Sequence, residues 1–192
     1  YTFPNWLSND NRTVADEYFR GSYTQGDWAS GKVAPGLEYR VMLGNNLSGL
    51  GTSATELDNM LNTVSGALWW MPTTGEFGPI NGFGDYENHQ ELATLFGVNF
   101  THSREDAQGQ SPTTGFENSQ IRLSDGTRLF SPQPFGTGGD VRKATYRMLA
   151  MNAGAKYKGL SLEGEYYVRW VDDFETTAPV PVSSLYDTGF QL

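Results

Sequence analysis

The sequence predicts an all-β chain of antiparallel strands, on three observations. Residues 160–170 alternate without a break, with Leu160, Leu162, Gly164, Tyr166, Val168 and Trp170 on one face and Ser161, Glu163, Glu165, Tyr167 and Arg169 on the other. The preceding run keeps the same register, Leu149, Met151, Ala153, Ala155 and Tyr157 against Asn152, Gly154, Lys156 and Lys158. Lys158-Gly159 leaves room only for a tight turn between the two runs, as a hairpin requires. Composition agrees, because 23 Gly, 10 Tyr, 11 Phe and 5 Trp suit strands and Gly-rich turns better than helix bundles. Tyr146, Leu149, Ala150, Ala153 and Tyr157 also fit helical spacing. The strand after Gly159 decides against that helix, since a strand needs a neighbour for its backbone groups.

In order along the chain, residues 1–17 are polar, with Pro4 and an Asn/Asp cluster, and form a loop. Residues 18–28 make a short strand weakened by Gly21 and Gly26, and residues 29–36, with Gly31, Pro35 and Gly36, make a connection. Leu37, Tyr39, Val41 and Leu43 then alternate with Glu38, Arg40 and Met42 in a two-faced strand. Residues 45–62 form a loop with one or two helical turns over 55–61. Residues 64–71 form a strand that Pro72 stops, and 72–90 is Gly-rich and aromatic without a period. Strand character returns over 92–103. A connection of roughly forty residues, 104–143, far exceeds the usual handful, and it carries its own hairpin signal around Asp125-Gly126. Residues 171–184 form a Pro-rich loop, and a last strand begins at Leu185 with Tyr186, Thr188, Phe190 and Leu192 on one face. The count is six or seven strands in a single domain over 1–192.

Charge and composition exclude several classes. A formal charge of −9 argues against a general nucleic-acid binder, and the absence of Cys excludes a disulfide scaffold and thiol chemistry. Tyr1 opens directly into a polar loop, without a signal peptide. No apolar run reaches the ~20 residues of a membrane helix, so this chain can cross a bilayer only as strands. Two arrangements fit the pattern. Tight and long connections alternate around the 144–170 hairpin, and Trp70, Tyr146, Tyr157 and Trp170 sit near strand ends, as in an outer-membrane barrel with aromatic girdles. Soluble sandwiches alternate too, so the periodicity leaves both open.

Particular words in the sequence add to this. ADEYFRGSY, PGLEYRVMLGNN, LWWMPTTGEFGP with GFGDYE, and YKGLSLEGEYYVRWVDDF followed by YDTGF occur in that order over nearly the whole chain. They resemble the central portion of the phosphate-selective porin O and P family, WWMPTTGEFGP being the most specific piece. The resemblance implies an antiparallel transmembrane β-barrel of roughly sixteen strands, usually a homotrimer, in a Gram-negative bacterial outer membrane. Its implied partners are outer-membrane lipid and small anionic or polar solutes, with no cofactor. It also implies a fragment, because six or seven strands cannot close around water. Phosphate selectivity does not carry over. That property needs a basic ladder, whereas 104–143 sets Arg104, Arg122, Arg128, Arg142 and Lys143 against Glu105, Asp106, Glu117, Asp125 and Asp140. Weak selectivity among small anions is the expectation.

By parity, Glu38, Arg40, Lys156, Glu163, Glu165 and Arg169 line the pore, while Trp70, Tyr157, Tyr166 and Trp170 face lipid or form its girdle. In a soluble sheet the same charges are only a solvated face. Glu163 and Glu165 are neighbours on one open strand and do not flank a cleft, so no glycosidase pair forms and the chain is expected not to be an enzyme. His89 and His102 are expected at the surface without a metal-ligand pair nearby, and Asp172, Asp173 and Glu175 in a hydrated acidic loop rather than on calcium. The alternative is a secreted or cell-surface all-β carbohydrate-binding module in which Trp28, Trp69, Trp70 and Trp170 stack on sugars.

Overall fold

The computed structural model describes residues 24–47, 61–78, 84–107 and 121–192. Seven strands form one antiparallel sheet in chain order: β1 (Gln25–Ala34), β2 (Leu37–Asn45), β3 (Thr63–Trp70), β4 (Ala93–Asp106), β5 (Val141–Tyr157), β6 (Leu160–Thr176) and β7 (Leu185–Gln191). Each strand pairs with the one before it, and β1 and β7 stand at opposite edges, so the sheet is open. Two tight turns have plain local causes. Pro35 presets φ for the β1–β2 turn, and Gly36 has φ +70°, where a side chain would strike the Met71 carbonyl. Lys158 (φ +49°) and Gly159 (φ +86°) make the two-residue β5–β6 turn that matches strand twist.

Several elements differ from their sequence reading. Residues 29–34 belong to β1 rather than to a connection. Gly31 holds its place there because the Tyr39 ring across the ladder lies against it, 3.0 Å from where a Cβ would stand. β4 runs on to Asp106, β5 begins at Val141 and β6 continues to Thr176, so the long connection is 107–140. The expected acidic loop is therefore the end of β6. Its carboxylates are paired: Asp172 with Arg147 at 2.7 Å, Asp173 with Arg147 at 3.6 Å, and Glu175 with Arg104 at 2.6 Å. The loop over 1–17, the start of the first strand, the helical turns over 55–60 and Glu117 lie outside the described residues.

The ladders carry parity across the whole sheet, because residues opposite one another share a face. One face holds the rows Leu43–Val64–His102–Arg147–Trp170–Tyr186 and Tyr39–Leu68–Val98–Met151–Tyr166–Phe190, ending below at Tyr157 and Leu160. Large apolar side chains here are open: Val41, Leu43, Val64, Leu68, Trp70, Phe96, Val98, Phe100, Met151, Tyr157, Leu160, Leu162, Tyr166, Tyr186 and Phe190 are 40% to 76% exposed. Leu37, Tyr39, Leu149 and Trp170 are half-buried, and Val168, at 7%, is buried; it is short and flanked on its own face by Tyr166, Trp170 and Leu149.

The buried clusters lie on the other, polar face. Tyr146, Ala144 and Val171 pack there with Ile121, Leu123, Leu129 and Phe130 of the long connection. At the opposite end Leu95 and Ala93 pack with Met71 and Phe77. Among the described residues the connections thus fold over the charged side of the sheet and not over the apolar side.

Candidate functional site on the polar face

The ladder rows Met42–Ser65–Thr101–Met148–Arg169–Asp187, Arg40–Ala67–Asn99–Ala150–Tyr167 and Glu38–Trp69–Gly97–Asn152–Glu165–Gln191 make up the polar face. Lys156 and Glu163 belong to the same parity through Ala93 and Gly154. The six charges expected to line a pore therefore share this face, and Trp70, Tyr157, Tyr166 and Trp170 share the opposite one. Their exposure divides them. Arg40 is exposed and Glu38, Glu163 and Glu165 are half-buried, but Lys156 and Arg169 are 0% exposed, so these last two do not border solvent.

Arg169 is buried by the long connection. Its Nη2 and Nε donate to Asp187 Oδ2 at 2.7 and 3.1 Å, and Nη2 also donates to the Arg122 carbonyl at 2.7 Å. Ser124 Oγ donates to Asp187 Oδ1 at 2.6 Å, which ties the same connection to β7. The hairpin signal around Asp125-Gly126 is a small β-turn unit, bridged between Arg122 and Arg128, with Gly126 at φ +88°. The Thr127 amide donates to Asp125 at 2.8 Å and holds that carboxyl below its usual range. Two forces dock this unit: burial of Ile121, Leu123 and Leu129, and the charge-assisted bonds to Arg169 and Asp187.

Lys156 is buried by the β3–β4 connection. Its Nζ stands 4.7 Å from the centre of the Phe77 ring, and Phe77 is 1% exposed. Gly154 makes room for that ring, since a Cβ there would come within 2.6 Å of Phe77 Cζ.

The same connection corrects the expectation for His89. Its side chain is 6% exposed, with Nδ1 hydrogen-bonded to the Asp85 carboxylate and Nε2 2.8 Å from Glu76. Asp85 also accepts from the Gly159 amide at 2.8 Å and from the His89 amide at 3.0 Å, while the Lys158 amide donates to the His89 carbonyl at 2.8 Å. The cluster clamps the β3–β4 connection to the β5–β6 turn. The Asp85 hydrogen bond raises the His89 pKa above 6.5 against the opposing effect of burial, with Glu76 adding to the rise. For Asp85, burial pushes upward, but the bonds from His89 and Gly159 outweigh it and the pKa lies below 3.8. Asp85, Glu87 and His89 do bring one ligand atom each within 4.8 Å, contrary to the expectation of no nearby pair. Both His89 nitrogens are hydrogen-bonded to carboxylates, and the arrangement is an ion-pair clamp. His102 is half-buried on the apolar face.

The tryptophans separate as well. Trp70 and Trp170 stand on the apolar face beside Phe96 and Tyr186, at 6.1 and 5.8 Å between ring centres. Trp28 and Trp69 stand on the polar face, and the Arg40 guanidinium lies 5.7 Å from the Trp69 ring. Sequence reasoning left Asp187 and Gln191 out of the polar set. Parity along β7 was the available signal, because Tyr186, Thr188 and Phe190 on one face put Asp187 and Gln191 on the other. Comparison of the chain with protein-family models, with curated proteins and with solved structures finds no match.

Proposed function

We propose that this chain forms part of the wall of an outer-membrane porin, a water-filled β-barrel that passes small solutes, anions such as phosphate among them, with weak selectivity. One observation carries the reading. On β6 an apolar band runs from Leu160 to Trp170 with Leu160, Leu162 and Tyr166 exposed, while the described connections of the sheet fold over the charged face. Ten steps of ~3.3 Å at a tilt of ~45° give a height of about 23 Å, close to the ~25 Å apolar band of a membrane barrel. The resemblance of WWMPTTGEFGP and its companion segments to the porin family points the same way. In this reading Arg40, Lys32 and Glu38 border water, and the unit at 121–131 narrows the passage. The reading requires more strands than these seven, paired along the outer edges of β1 and β7, because a sheet of this size cannot enclose a lumen. A soluble carbohydrate-binding module would need a second layer over Leu162 and Tyr166. Among the described residues the layer that exists lies on the opposite face.

The test is conductance through planar bilayers by protein purified in detergent. Discrete channel steps are expected, and Arg40→Gln should lower the anion-to-cation permeability ratio while Lys156→Gln, buried under Phe77, leaves it nearly unchanged. Failure to form channels would remove the transport reading.

A further inference from the structure

Trp28 is out of place by the ordinary rule for a polar face. It is 68% exposed, with Met42 opposite it on the ladder and Ser30, Arg40 and Ser65 near it on the same face. Trp69 lies on the same face two strands away, half-buried over Gly97, where a Cβ would come within 2.9 Å of Trp69 Cδ1. The register sets the two rings on a diagonal. Trp28 is opposite Met42, Trp69 is opposite Glu38, and Arg40 sits midway on β2. Strand spacing and rise place each tryptophan ~8 Å from Arg40 and ~16 Å from the other, measured along the backbone. Polar groups flank the diagonal: the Arg40 guanidinium beside Trp69, and Lys32 paired with Glu38 at 3.1 Å.

We propose that Trp28, Arg40 and Trp69 form a binding track for a short oligosaccharide lying diagonally across β1, β2 and β3. A pyranose ring has an apolar face of C–H groups and a rim of hydroxyls. The indoles suit the first, and the guanidinium and the Lys32–Glu38 pair suit the second. Inorganic phosphate would engage Arg40 and Lys32 and leave both rings unused. Nucleic acid, which would also stack on indoles, is opposed by the chain's charge of −9. Trp70 and Trp170 have no part in the track, since they stand on the opposite face. The inference deepens the proposed porin reading by naming a solute class, yet binding is measured without a channel, so the two can fail separately.

The experiment is isothermal titration calorimetry of the detergent-solubilised protein with maltotriose, with chitotriose and with inorganic phosphate. Saturable binding of either trisaccharide is expected, weakened about tenfold by Trp28→Ala, the loss of one stacked ring. Trp28→Phe, which keeps an aromatic face, should stay near wild type, and Trp170→Ala should not change affinity. The proposal is overturned if neither trisaccharide binds, or if Trp28→Ala binds as wild type does. It is equally overturned if phosphate alone binds, through Arg40 and independently of Trp28. Channels that persist without sugar binding would sink this inference and leave the porin reading standing.

Discussion

Replacing Met151 by Arg separates a lipid-facing sheet from a soluble one. Met151 is 43% exposed in the row Val98–Met151–Tyr166–Phe190, near the middle of the apolar band. At an exposed position in water such a change costs within about 0.5 kcal/mol. On the lipid face of a barrel, Arg near the midplane costs about 2–4 kcal/mol, which falls to about 0–1 kcal/mol near the interface. The structure supplies the internal control. Tyr157, 40% exposed, lies on the same strand and the same face at the turn end of β5. Six residues separate it from Met151, ~20 Å of strand or about 14 Å of depth at a ~45° tilt. Met151→Arg should therefore destabilise by about 2–3 kcal/mol more than Tyr157→Arg, although the two sites have nearly equal exposure. The assay is guanidinium unfolding of protein reconstituted in lipid vesicles, comparing midpoints at unchanged slope. Equal, small effects at the two positions would refute the assignment of this face to lipid.

Two further outcomes follow from the loops over the polar face. The His89 clamp should be pH-dependent with both signs defined: the His89 contribution is fully present below pH 6.5 and is lost as pH rises through its elevated pKa, whereas the Asp85 contribution is present above pH 3.8 and is lost on acidification. Hydrogen exchange at the Lys158 and Gly159 amides should be slowest between these limits after correction for intrinsic rates, His89→Gln should remove the alkaline loss, and a flat profile in the parent protein would contradict the clamp. Arg169→Met should destabilise by about 3 kcal/mol, because it leaves Asp187 and the Arg122 carbonyl without their charged donor. Combining it with Asp187→Leu should cost less than Arg169→Met alone, and an additive loss in denaturant unfolding would show that the pair does not act as a unit.

Strand alternation was legible wherever one face is apolar and the other charged, because a slip of one residue would exchange every side chain. That is why Leu37–Leu43, Leu149–Tyr157 and Leu160–Trp170 fall on the faces their parity predicts. β1 was obscured by Gly26 and Gly31, whose lack of side chain lowers the strand signal until the Tyr39 ring across the ladder is known. The ends of β4, β5 and β6 were hidden because Arg104, Asp106, Lys143 and Glu175 look like loop charges until the ladder sets Lys143 opposite Asp106 on one side and Glu175 on the other. His89 was misjudged for a related reason. Its burial depends on Asp85 four residues earlier, Glu76 further back and the Gly159 amide across the fold, and no single period links these positions. The docking of 121–131 rests on Arg169 and Asp187, which are separated by 47 residues or more from Arg122, so proximity in sequence carries no trace of it.

The choice of face by the connections is the strongest link between energetics and the proposed function. Each large apolar side chain moved from water into a protein interior contributes about 1.5–3 kcal/mol. A connection free to settle on either side of a sheet in water would gain most by covering Leu162, Tyr166, Val98 and Phe190. Residues 121–131 instead settle on the side that holds Arg169, Asp187 and Lys156, where burial of charge must be offset by ion pairs and a ring contact. That arrangement is costly if both faces meet water. It becomes the favourable one when the apolar face is already solvated by acyl chains, since lipid removes the driving force for protein to cover it and leaves the polar face as the only surface where a connection can still exclude water.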